Sequence, residues 1–163
     1  MTALEKGIVE ILTDDARIGT AKMAAMLGVD EAQVKACVKD MEARGVLVKY
    51  TAIINSEKAD DDLVEALIEV KVSPKKAEGF DGIARQVAAF PEVKGVYLMS
   101  GAYDLAVMIA DASLQKVARF VSERISTFDG VIGTATHFIL KKYKIEGVLT
   151  EREGSDKRIS VQP

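Results

Sequence analysis

Residues 93–110 read VKGVYLMSGAYDLAVMIA. Two apolar runs, Val93 to Met99 and Leu105 to Ala110, flank the small and polar stretch Ser100-Gly101-Ala102-Tyr103. Such runs on either side of a Gly-containing stretch predict two strands joined by a tight connection. Val107 and Ile109 face one side of the second strand, Met108 and Ala110 the other, so both faces of the sheet need cover. Upstream, Val64, Ala66, Ile68, Val70 and Val72 alternate with Glu65, Leu67, Glu69 and Lys71, which predicts a strand stopped at Pro74. Phe80, Ile83, Ala84, Val87 and Ala88 make a helical stripe that Pro91 ends. Downstream, Leu114, Val117, Ala118, Val121 and Ile125 make a second stripe, and Val131 to Leu140 a last strand. The order βαββαβ is the ferredoxin-like pattern, with two helices on one face of a four-stranded antiparallel sheet. A second copy of the chain is the simplest cover for the other face.

The first third reads differently. Leu4, Ile8, Ile11 and Leu12 recur at helical spacing over roughly 3–13. Thr20 is placed to cap a second helix carrying Met23, Ala24 and Leu27, and Gly28 to stop it. Asp30 and Gln33 form a capping-box pattern for a third helix. There Val34, Cys37, Val38 and Met41 share one side. Ala32, Lys35, Ala36, Lys39 and Ala43 share the opposite one. Small residues allow close approach to a major groove, and lysines reach phosphates. The plainer alternative is a three-helix module with solvated lysines. After Gly45, the apolar runs 46–48 and 50–54 predict a two-stranded wing around Lys49.

Composition bounds what this pattern can do. The chain has 163 residues and a formal net charge of −3, which excludes a polybasic nucleic-acid binder. Residues 1–55 carry seven Lys or Arg and eight Asp or Glu, a net charge of −1. A lone cysteine, Cys37, allows no internal disulfide and reads as core packing. No apolar run is long enough for a membrane span, and the N-terminus lacks a secretory pattern, so a cytoplasmic protein is expected. The single His137, on the last strand, reads as a buried or interface residue. No catalytic constellation, metal-ligand set or phosphate loop is found, so no enzyme, metal or cofactor is expected. The acidic stretch 56–62 reads as a linker. This divides the chain into a DNA-binding domain over 1–55, an α/β domain over 63–147 and a polar tail over 148–163, in which 158–161 could add a short strand.

Several motifs occur in fixed order: Arg17-Ile18, then Met41-Glu42-Ala43-Arg44-Gly45-Val46-Leu47 leading into Tyr50-Thr51-Ala52. Phe90-Pro91-Glu92-Val93, Ser100-Gly101-Ala102-Tyr103-Asp104-Leu105 and Gly130-Val131-Ile132-Gly133-Thr134-Ala135-Thr136 follow. In this arrangement the chain resembles the Lrp/AsnC, or feast/famine, family of transcription regulators over residues 3–147. The resemblance implies an α+β protein with an N-terminal winged helix-turn-helix and a ferredoxin-like effector domain. It also implies dimers that assemble into octamers, with amino-acid effectors bound between dimers. One departure is visible. The third helix opens with Asp30-Glu31, and Lys35 and Lys39 stand where family members often carry arginine, whose bidentate contact to guanine lysine cannot make.

The expected function is sequence-specific binding of promoter DNA under control of an amino acid or related small molecule. The expected DNA-contacting residues are Thr20, Ala32, Gln33, Lys35, Ala36, Lys39 and Lys49. The expected ligand residues are Ser100, Gly101, Tyr103, Asp104, Thr134 and Thr136. Gly101 would expose backbone N–H groups to a carboxylate, Asp104 would pair with an ammonium group, and the threonines would add hydroxyls. Otherwise this is a β-turn with a capping aspartate and two ordinary strand threonines. Two alternatives remain. One is an oligomeric sensor whose acidic head has weak or lost DNA binding. The other is a tetrapyrrole decarboxylase of similar architecture, against which a single histidine argues. A head this acidic draws its affinity from several copies held together.

Overall fold

The computed structural model describes residues 1–59, 62–73 and 79–150. The chain forms two compact units, 1–53 and 54–163. The division falls before Asn55, because the Asn55 side-chain amide donates to the Thr150 carbonyl within the second unit, at 2.8 Å.

The first unit holds α1 (Ala3–Asp14), α2 (Thr20–Leu27) and α3 (Glu31–Ala43). Ile8, Met23, Ala24, Val34 and Met41 are its buried core, with Leu4, Leu27, Val29, Cys37 and Val38 packed against them. Asp30 and Gln33 form the expected capping box on α3. Gly28 takes the left-handed conformation, φ 65°, that a helix stop of this kind requires. Thr20 is not a cap: Gly19 is, and Thr20 is the first residue of α2, its hydroxyl turned toward α3.

The expected wing does not form. The amides of Val46 and Leu47, which a hairpin would use in its ladder, donate instead to the Met41 carbonyl and close the end of α3. Residues 48–54 then run without helix or ladder, and Val48 is 86% exposed.

A capping box not anticipated in the sequence starts α1. The Thr2 hydroxyl accepts the Glu5 amide at 3.2 Å, and the Glu5 carboxylate accepts the Thr2 amide at 2.6 Å. Glu5 is the one buried polar or charged side chain among the described residues. It also pairs with Arg44 at the end of α3, and Arg44 bonds Asp40 at 2.7 Å, so one ion network ties α1 to α3. The Thr2 amide, aided by the Arg44 guanidinium and opposed by burial, holds the Glu5 carboxyl below the usual carboxylate range. A carboxyl held low in the folded state stabilises the fold above about pH 4, and that contribution is lost as pH falls through its folded value. Glu5→Gln is therefore expected to melt below wild type at pH 7, with the gap closing toward pH 3. Thermal unfolding at a series of pH values checks this; a gap independent of pH contradicts it.

The second unit is the predicted sandwich. Its elements are β1 (Val64–Val72), α4 (Asp81–Ala88), β2 (Val93–Leu98), β3 (Leu105–Asp111), α5 (Leu114–Glu123) and β4 (Val131–Phe138). The sheet order is β2-β3-β1-β4, all pairs antiparallel. Ile68, Val70, Leu105, Val107 and Ile109 face α4 and α5, where Ile83, Val87, Val117 and Phe120 complete the core. Phe90 packs edge-on against Phe120 with ring centres 5.3 Å apart. The chain does not turn polar at 148. A short hairpin, β5 (Lys144–Ile145) and β6 (Val148–Leu149), follows the sheet. Two short strands with few apolar residues give too weak a periodicity to read. The possible strand at 158–161 lies outside the described residues.

Candidate DNA face and effector turn

On α3, Ala32, Gln33, Lys35, Ala36 and Lys39 are exposed, while Val34 and Met41 are buried. The helix thus presents its small and basic side outward, as its spacing predicts. The face is not uniformly free. Glu31 accepts the Thr20 hydroxyl at 2.7 Å and pairs with Lys35 at 2.8 Å. These two partners, Lys35 first, hold its carboxyl below the usual range. Glu31 therefore joins the start of α2 to α3 and occupies one of the two expected phosphate-binding cations. Lys39 forms no ion pair among the described residues. The Gln33 side-chain oxygen accepts the Asp30 amide at 3.2 Å, so that oxygen serves the cap and the amide nitrogen keeps both its donors for a base. Lys49 is exposed within the irregular segment rather than on a wing. Arg17, its side chain 93% exposed and 3.6 Å from Asp15, and the exposed Lys22 are further cations on this unit outside the expected DNA-contacting set. Burial pushes the Cys37 thiol up, which leaves it a packing residue and a poor nucleophile.

In the second unit, Ser100 and Gly101 are exposed at the turn between β2 and β3, and Tyr103 and Asp104 are half-buried. Gly101 is not in the left-handed region. What it offers is room: a Cβ there would meet nothing within 4 Å. Asp104 is partly committed. Its carboxylate accepts the Val72 amide at 2.7 Å, where the β1–β4 ladder slips register. Its own amide donates to the Val70 carbonyl at 3.1 Å.

Thr134 and Thr136 are half-buried and share one face of β4, opposite Val70 and Ile68 of β1. Since β1 lies between β3 and β4, Thr134 and Leu105 stand two strand spacings apart, roughly 10 Å. One chain therefore does not close the turn and the threonines around a single amino acid. His137 is not buried. It lies 57% exposed on the opposite face, Nε2 3.3 Å from Glu69. It sits there because the two-residue alternation of β4 turns it away from the helices. Among the described residues, no group of His, Cys, Asp and Glu could hold a metal ion, and no helix is long and apolar enough to cross a membrane.

Residues 1–48 match a family model for winged helix-turn-helix DNA binding, and residues 65–149 one for the Lrp/AsnC ligand-binding domain. The chain is 45% identical to YugG, an HTH-type transcriptional regulator of Bacillus subtilis, over 100% of this chain and 99% of that one. It is 33% identical to the HTH-type transcriptional regulator LrpA of Pyrococcus horikoshii, over 86% of this chain and 96% of that one. The transcriptional regulator NMB0573 of Neisseria meningitidis, solved with L-Met, has the same fold. Its TM-score is 0.69 at 19% identity, over 89% of this chain and 93% of that one.

Proposed function

Since this chain belongs to the Lrp/AsnC family of transcriptional regulators, with a helix-turn-helix DNA-binding head and a ligand-binding domain, we propose that it binds promoter DNA sequence-specifically as an oligomer. An amino acid bound between subunits controls that binding. The exposed side of α3 carries this reading, because a helix with Ala32, Ala36 and Ala43 outward and Lys39 unpaired fits a groove lined by phosphates.

Assembly is supported by the sheet face that α4 and α5 leave open. It carries Leu67 and Met108, and Tyr97 at 56% exposure. A two-fold copy laid on this face covers it and pairs the heads for a palindromic site. The roughly 10 Å gap between the turn and the threonines supports a site completed by another copy. The methionine held by the neisserial regulator supports an amino acid as the effector class.

The test is fluorescence anisotropy with the DNA upstream of the chain's own coding sequence, with and without each common amino acid. Saturable binding that survives competitor DNA, and shifts with at least one amino acid, is expected. Binding no tighter than to random DNA overturns the proposal.

A further inference from the structure

We propose that Glu31 reads a base: its second carboxylate oxygen accepts the exocyclic amine of a cytosine in the major groove. This role rests on the reading that α3 faces DNA, and it names a residue through which that face discriminates sequence.

Glu31 is the first residue of α3. In a helix-turn-helix the N-terminal residues of the second helix are the ones that meet base edges. On charge alone a carboxylate is ill suited to that place, because phosphates wall the groove. Here the charge is compensated. Lys35, one turn along, pairs with Glu31 at 2.8 Å, and the N-terminal end of the helix adds partial positive charge. The pair as a whole is neutral, so it approaches the duplex without the repulsion that an isolated carboxylate meets.

The carboxylate is also aimed. The Thr20 hydroxyl donates to Oε1 at 2.7 Å from the start of α2, and the Lys35 ammonium contacts the same oxygen. Donors on two helices fix the group from two sides, whereas an ion pair within α3 alone would let it swing. Oε2 keeps its lone pairs for a further donor, and the side chain is 41% exposed, so a base edge can reach it. With its carboxyl held below the usual range, Glu31 is an acceptor only at neutral pH. Guanine and thymine present acceptors on their major-groove edges, and adenine sets its N7 acceptor beside its N6 donor. Cytosine presents its N4 donor alone, so an acceptor-only reader selects cytosine.

Selection from a pool of random-sequence duplexes with the full-length protein, followed by anisotropy on the enriched sites, tests this. Wild type is expected to enrich a cytosine at a fixed position of the bound site, and replacing that C·G pair by T·A to weaken binding about tenfold. Glu31→Gln is expected to exchange the cytosine for adenine, which glutamine reads through N6 and N7. Glu31→Ala is expected to lose the preference at that position alone. Both variants release Lys35 for a phosphate, so their affinity for random DNA is expected to hold or rise, which separates lost reading from lost folding. A wild type that enriches no sequence overturns the inference together with the DNA-binding reading. Enrichment that both variants reproduce unchanged overturns the inference alone. So does an equal loss of affinity for target and random DNA in both variants, since Glu31 then only holds α2 to α3.

Discussion

Full-length protein carrying both Lys35→Ala and Lys39→Ala is expected to bind its upstream DNA on the order of a hundredfold more weakly than wild type at about 0.15 M salt. A two-headed complex loses up to four phosphate contacts. Each contact contributes about 0.9 to the slope of log affinity against log salt, so the slope should flatten by roughly two to four. The two lysines should not contribute equally. Lys35 must leave Glu31, 2.8 Å away, before it can reach a phosphate, whereas Lys39 has no such competitor. Lys39→Ala alone should therefore cost more than Lys35→Ala alone. Anisotropy titrations at three or more salt concentrations measure both quantities. An unchanged slope in the double variant means that α3 does not face DNA.

The largest expected loss of stability follows Ile68→Ala. Ile68 is fully buried in β1, with Val107 of β3 on one side and Thr136 of β4 on the other. Large-to-small changes at such positions cost about 2–5 kcal/mol, through lost transfer energy and the cavity left behind. β1 is a central strand, so the hole opens beneath both ladders, and collapse around it is restricted by the rigid sheet. Urea unfolding followed by far-UV circular dichroism should show the transition of this unit moving to lower denaturant with an unchanged slope. A shift under about 1 kcal/mol would mean the core relaxes far more than its packing implies. The same titration should leave the head's transition in place, because Ile68 belongs to the core of the other unit.

The sheet was legible because its strands carry their own period. Val64 to Val72 alternates with one exception, Leu67, and the two apolar runs around Ser100-Gly101-Ala102-Tyr103 permit little besides adjacent antiparallel strands. The helix ends were legible where a cap has a residue signature, as at Asp30, Gln33 and Gly28. The wing misled because apolar residues at 46–54 look alike whether they pair with one another or stand exposed. What decides the matter is which carbonyl takes the Val46 and Leu47 amides, and that choice lies in the closure of α3. At the site, the outward residues of α3 followed from periodicity alone. The role of Glu31 did not, since its bond to Thr20 crosses eleven positions and two helices. Asp104 was legible as a polar turn residue, yet its partner Val72 lies 32 positions away.

The unpaired run at 48–54 has a consequence for how such a chain can change over generations. A crossover there severs no helix and no ladder, and it falls at the boundary between the two compact units. A head carrying a different α3 can thus be exchanged as a block while the sensing half keeps its core intact. New target sites and new effectors can then be acquired independently, one recombination event at a time. Chimeras joined at residues 53 and 54 should accordingly fold without compensating substitutions.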